Sequence, residues 1–347
     1  MSDNNALPLS RFTIIELNDA GMPVPLRLAA SLAGKIAADL GATVLKIEPA
    51  EGDPVRRLPP FLSHGESALF QFLNTSKQSV RLGRGTLPDL LAKAQACLFE
   101  EPSSLAEMVR KSPATPIELA AFPVGMEPMP FSEFTVLALG GLLHMVGEPD
   151  RKPLRLGGHQ ASYAAGFAAF TGLATALAAR DAGRSAPGVR VSLTEVMQWV
   201  NWKAASGAEA SGKSPGREGK GSEFQIVPCK DGYVAVVYTV TQWPAVRALV
   251  GDRRLEDKKF ATRAERRDNV AELYAILRPW FADKTRAEIQ ALAQAKGVPF
   301  GPIFSPSELL ESEQYLARGF LTKFGGGKIP QLPVQWNGRS FAPRAMA

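Results

Sequence analysis

The stretch Phe12–Glu48, FTIIELNDAGMPVPLRLAASLAGKIAADLGATVLKIE, decides the fold. FTIIEL (Phe12–Leu17) is the short apolar, β-branched run of a buried strand. Arg27–Leu40 carries apolar residues at helical spacing and stops at Gly41, which suits the turn past a helix end. TVLKIE (Thr43–Glu48) is a second strand. A strand, a helix and a strand in this order form a βαβ unit with parallel strands. The alternation continues through SVRL (Ser79–Leu82), a helix near Thr86–Ala94 and ACLF (Ala96–Phe99). GVRVSL (Gly188–Leu193) adds a strand that leads into a helix containing Trp199 and Trp202. The expected fold class is α/β, a doubly wound parallel sheet covered by helices.

Downstream the composition changes. SGKSPGREGKGS (Ser211–Ser222) is a Gly/Ser/Lys-rich loop or linker. DGYVAVVY (Asp231–Tyr238) follows as a turn and strand. Arg263–Phe281 and Thr285–Ala295 read as helices, and GVPFGPIF (Gly297–Phe304) as an extended segment punctuated by Pro. The expected organisation is a large domain over residues 1–205, a linker over 206–223, a small α+β domain over 224–305, and a return to the large domain over 306–347.

The chain of 347 residues is longer than one ordinary hydrophobic core needs, which agrees with two domains. Hydrophobic residues at 45% and charged residues at 21% exclude a disordered or collagen-like chain. A net charge of +6, evenly spread, permits anionic ligands but gives no basic stripe for nucleic acid. Cys97 and Cys229 have no metal or redox spacing, and His64, His144 and His159 form no ligand cluster, so no metal is expected. Met1–Arg11 lacks a basic segment followed by an apolar run, so no secretory leader and a cytoplasmic location are expected. The uncharged run Ala161–Ala179 has the length of a membrane span, but it is built of Ala and Gly with few Leu. Such a helix lets neighbours approach closely, and a buried central helix is expected rather than a membrane one.

Several strings, in order, resemble the family III CoA-transferases, the formyl-CoA and carnitine CoA-transferase family that includes the 2-methylacyl-CoA racemases. Leu32–Arg56 resembles the family's first βαβ unit, and Leu73–Leu82 its Asn-rich strand. Gly140–Gly157 and Gly166–Leu193 match its central helices and following strand. Asp231–Val236, Phe260–Arg267 and Gly297–Phe320 match its small domain and return. The resemblance implies a Rossmann-like large domain, a small domain on two linkers, and two chains threaded through each other as an interlocked dimer. It implies acyl-CoA thioesters and carboxylates as substrates, with coenzyme A as the group carried. It also implies Leu73, Asn74 and Lys77 as CoA contacts, and Arg56, after Gly52-Asp53-Pro54, as a phosphate contact.

The family's nucleophile is an Asp four residues before the Gly that starts the central helix. That Gly is Gly166, so Ser162 stands in the place of the carboxylate, within His159-Gln160-Ala161-Ser162. An Asp forms a mixed anhydride with the acyl group, and CoA thiolate then leaves an enzyme–CoA thioester; both are high-energy acyl groups. A Ser would form an oxygen ester, which is several kcal/mol more stable, so return of the acyl group to CoA is unfavourable. The racemase string Gly-His-Asp aligns with Phe131-Ser132-Glu133, and without its His and the later Asp two-base proton exchange has no carriers. The family loop with a phosphate-facing Arg aligns with Phe99–Ser104, where Glu100 and Glu101 would repel a pyrophosphate.

Three functions are expected of such a chain. In the first it transfers CoA, with Glu133 or the His159/Ser162 pair in place of the Asp. In the second it is a non-catalytic partner in a heteromer whose homologous subunit supplies the Asp. In the third His159 and Ser162, three apart and on one helical face, form a dyad of a thioesterase. The bland alternatives are a helix cap with a solvated His, and an acidic residue at a helix N-terminus for Glu133. Trp199 and Trp202 are expected in the core or at a subunit interface.

Overall fold

A computed structural model describes residues 7–19, 21, 23–81 and 86–347. Leu82, the last residue of one expected strand, and Met1–Ala6 of the leader reading lie outside the described residues. The described chain forms two compact units, Met1–Met145 with Arg155–Pro215 and Leu316–Ala347, and Val146–Leu154 with Gly216–Tyr315.

The first unit is built on six parallel strands: β1 (Thr13–Leu17), β2 (Thr43–Glu48), β3 (Gln78–Arg81), β4 (Ala96–Glu100), β5 (Thr115–Ala120) and β6 (Val189–Ser192). Their order is β3-β2-β1-β4-β5-β6, so the direction of winding reverses between β1 and β4. The helices are α1 (Val24–Asp39), α2 (Ala68–Leu73), α3 (Thr86–Lys93), α4 (Ala106–Lys111), α5 (Glu133–Leu139), α6 (Gln160–Asp181), α7 (Leu193–Val200) and α8 (Trp202–Ser211). Successive strand residues serve opposite faces, as the pleat requires. Ile14 and Leu98 join the core under α1, α5, α6 and α7. Ile15, Cys97 and Phe99 join the core under α3 and α4.

Helix α6 is the one described helix long and apolar enough to cross a membrane. Here it is a core helix, with Ala161, Ala165, Ala169, Leu173 and Leu177 buried. Small residues let it lie close on α1. A Cβ at Gly166 would sit 2.8 Å from Leu32 Cβ and 2.9 Å from the Ala29 carbonyl oxygen.

The second unit is a small α+β body. Its antiparallel sheet has the order β7 (Gln225–Cys229), β8 (Gly232–Val236), β9 (Gly301–Pro302). It carries α9 (Trp243–Val250), α10 (Arg263–Asp268), α11 (Val270–Ala282) and α12 (Arg286–Ala295). The single helix expected over Arg263–Phe281 is two, divided at Asn269. Thr262 and Thr285 each cap the helix that follows through a reciprocal bond with a Glu three residues on. A hairpin of β10 (Leu321–Phe324) and β11 (Gly327–Pro330) belongs to the first unit, and the last residues lie beside β3, where Ser79 N donates to the Ala347 carbonyl. Trp199 and Trp202 are not core residues; they are 76% and 61% exposed.

Candidate active site

Helix α6 begins without a side-chain cap of its own: His159, in the capping position, makes no such bond. Two open amides are taken by a carboxylate from 28 and 29 residues away. Ala161 N donates to Glu133 Oε1 at 2.5 Å, and Ser162 N donates to the same oxygen at 3.3 Å. The Ser162 hydroxyl donates to Glu133 Oε2 at 2.6 Å. Glu133 is itself the first residue of α5, set by the cap at Ser132. Ser162 is fully buried and Glu133 is 6% exposed. A buried carboxylate with three donors at the positive end of a 22-residue helix is firmly held. Burial and the neighbouring Glu133 charge together push the Tyr163 hydroxyl above its usual range.

The structure therefore brings Glu133 and Ser162 together and leaves His159 out. The His159 ring meets Tyr163 edge to face, with centroids 6.1 Å apart, while the Ser162 proton is committed to Glu133. A hydroxyl that donates to a carboxylate is not one that donates to the imidazole.

Glu16 of β1 stands in register with Lys46 of β2, and both are buried. Glu16 Oε1 accepts from Lys46 Nζ at 2.7 Å, and Oε2 from Lys77 Nζ at 2.6 Å. Lys77 Nζ also donates to the Ser31 carbonyl at 2.8 Å and to Asn74 Oδ1 at 2.9 Å. All three of its protons are thus used inside the protein. Asn74 and Leu73 are buried with it. Burial pulls Lys77 down to about 8 in spite of Glu16. Burial alone would raise the Glu16 carboxyl, but Lys46 and Lys77 outweigh it and hold it at about 2. Gly34 makes room for this pair; a Cβ there would lie 2.2 Å from Glu16 Oε2.

Of the expected CoA residues, Asn74 and Arg56 border a cavity of about 420 Å³, lined also by Glu66, Phe70, Gln71 and Ser79. Arg56 is the charged one of the two. Its charge is matched by Glu48, which accepts from Nε at 2.9 Å and from Nη2 at 2.7 Å. Burial would raise Glu48, yet these bonds and one from Ser79 hold it at about 2.

Glu100 and Glu101 do not stand as two bare charges. Glu101 is paired with Arg110. Glu100 is 1% exposed at the end of β4, beside the point where the winding reverses. Its Oε1 accepts from Asn18 Nδ2 at 3.1 Å and lies 3.7 Å from Arg27 Nε. Its Oε2 has no hydrogen-bond partner among the described residues. Burial pushes the Glu100 carboxyl up to about 7, against the opposing pull of Arg27 and Lys46. Among the described residues there is no group of three or more His, Cys, Asp or Glu side chains placed to hold a metal.

The sequence pattern of CoA-transferase family III matches residues 24–96 and 129–347, most of the chain. The chain belongs to CoA-transferase family III. Two relatives from this family's activity class are similar along most of their length. An acetyl-CoA:oxalate CoA-transferase of Acetobacter aceti is 26% identical over 328 residues, 87% of this chain and 84% of that one. A succinyl-CoA:glutarate CoA-transferase of Mus musculus is 27% identical over 339 residues, 89% of this chain and 77% of that one. The crystal structure of a CAIB/BAIF family protein from Brucella suis has the same fold, with a TM-score of 0.83 and 24% identity over 99% of this chain and 96% of that one. The α/β fold with its six-stranded parallel sheet is thus a family III fold, and CoA thioesters are the family's substrates.

The buried Glu16–Lys46–Lys77 network went unforeseen, although a signal existed. A charged residue stands inside each of two apolar strands, and parallel pairing without offset puts the two side by side. The Glu133–Ser162 contact had no such signal, because it depends on how α5 meets the end of α6.

Proposed function

We propose that this family III chain transfers CoA between an acyl-CoA thioester and a small carboxylate, with Glu133 as the acyl-accepting carboxylate. The observation that carries this reading is the Glu133 side chain, 2.6 Å from the hydroxyl of Ser162, the residue that stands where the family resemblance implies an Asp. A carboxylate is therefore present at that point, supplied from α5 rather than from α6. Glu133 attacks the thioester carbonyl, forms a mixed anhydride and releases CoA thiolate. The thiolate attacks the Glu133 carbonyl carbon, which releases the first carboxylate and leaves an enzyme–CoA thioester. A second carboxylate attacks that thioester, forms a new anhydride and frees the thiolate. The thiolate then takes the new acyl group and restores Glu133. Each step exchanges one high-energy acyl bond for another. The names of the oxalate and glutarate relatives support a small dicarboxylate as one partner in the exchange.

A homodimer belongs to this proposal, and Phe167, Trp199, Val200 and Trp202 support it as exposed apolar side chains on and after α6 and α7. A second reading rests on the burial of Glu133 and on its three donors. In that reading the carboxylate is a tertiary cap of α6, and the chain is the non-catalytic partner of a homologous subunit.

Transfer assays with acetyl-CoA plus oxalate and with succinyl-CoA plus glutarate separate the two. The purified chain is expected to turn over at least one pair, and Glu133→Gln to lower the rate by at least about a thousandfold, the scale set by loss of a nucleophile. His159→Ala is expected to stay within a few fold of the native rate. No transfer by the native chain, restored by adding a homologous subunit and unaffected by Glu133→Gln, contradicts the proposal and favours the partner reading.

A further inference from the structure

We propose that the start of α6 assigns different duties to the two oxygens of Glu133: Oε1 is retained through every catalytic cycle, and Oε2 is the oxygen that attacks and is exchanged, with Ser162 as the positioning residue. The inference rests on the reading of Glu133 as the acyl acceptor.

The hydrogen bonds are unequal. Both amides, from Ala161 and Ser162, converge on Oε1. Oε2 accepts from the Ser162 hydroxyl. A carboxylate oxygen has two lone pairs, so two amides fill Oε1 while one bond leaves a lone pair on Oε2. Oε2 is accordingly the oxygen able to form a bond to an acyl carbon. The hydroxyl is a rotor and follows Oε2 as its charge changes, whereas the two amides are fixed in the backbone of a long helix.

The same geometry serves the second step. When CoA thiolate attacks the Glu133 carbonyl carbon, the electron pair of the C=O bond moves onto Oε1. Two amides at a helix N-terminus already point at that oxygen, so the charge develops where donors stand ready. The tetrahedral centre collapses by breaking the bond from Cδ to Oε2, and Oε2 departs in the released carboxylate. An oxygen of the incoming carboxylate then becomes the new Oε2. One enzyme oxygen is therefore replaced per cycle, and always the same one. Interchange of the two requires the carboxylate to turn about its Cγ–Cδ bond, which breaks all three hydrogen bonds of a group that is 6% exposed.

The test is isotopic. The full chain is cycled with acetyl-CoA and oxalate carrying heavy oxygen at every carboxylate position, and separately with succinyl-CoA and heavy glutarate. It is then digested, and the peptide containing Glu133 is weighed. After many turnovers the native chain is expected to saturate at one heavy oxygen on Glu133. Ser162→Ala, which frees Oε2, is expected to drift to two, and Ser162→Thr, which keeps a hydroxyl, to stay at one. Saturation of the native chain at two overturns the retention of Oε1. A Ser162→Ala variant that turns over and stays at one removes Ser162 from the positioning role. No heavy oxygen on Glu133 is a separate outcome that overturns the assignment of Glu133 as acyl acceptor.

Discussion

Glu100→Gln removes a titratable group from the interior at the reversal of the sheet. Burial holds the Glu100 carboxyl at about 7, against an ordinary value of 4.5. The folded protein keeps the proton between those values while the unfolded chain releases it. The folded state therefore binds more protons in that window, so stability falls as pH rises through it. The displacement corresponds to about 3 kcal/mol in total at 1.36 kcal/mol per pH unit, most of it accrued between about pH 5 and about pH 8. Lys77 and Glu16 do not confuse this window. Lys77 is displaced downward to about 8, so its contribution changes above that pH, and Glu16, held at about 2, contributes change below 4.5. Urea unfolding of both proteins at several pH values is the assay. Glutamine cannot ionise, so the stability of native minus variant is expected to fall by about 2–3 kcal/mol from about pH 5 to about pH 8. A difference that is flat with pH, or that rises, refutes the claim that Glu100 is a buried, proton-holding carboxyl.

Gly166→Ala sets a methyl 2.9 Å from the Ala29 carbonyl, a backbone atom that cannot step aside. Thermal unfolding is expected to show a loss of about 1–3 kcal/mol as α6 is forced away from α1. Ser162→Asp alone puts a second carboxylate against Glu133 and replaces a donor by a like charge. It is expected to lower the melting temperature, and pairing it with Glu133→Gln is expected to recover most of the loss.

Much of the fold was legible because the first βαβ unit is locally consistent. The strand periods, Gly41 after α1 and the apolar content of β1 and β2 all agree with one parallel sheet. Strand β5 (TPIELA) passed unread, since Pro116 and Glu118 interrupt the apolar pattern of an otherwise buried strand. Ser162 and Glu133 were both named through the family resemblance, but their contact joins two helices and no spacing rule reports it. Lys77 was named by its family position, and nothing in the sequence around it reports Glu16, buried in β1, as its partner. Of the two places expected for Trp199 and Trp202, the core is ruled out, because the turn between α7 and α8 leaves both outward.

The central claim is that the acyl group passes through the side chain of Glu133. The most direct measurement reacts the native chain with acetyl-CoA or succinyl-CoA, reduces any enzyme thioester with borohydride, and maps the change by peptide mass. Reduction of the Glu133 carboxyl to an alcohol, absent without acyl-CoA and absent in Glu133→Gln, is the predicted result. An ester on Ser162, or native transfer activity with no modification of Glu133, would contradict it.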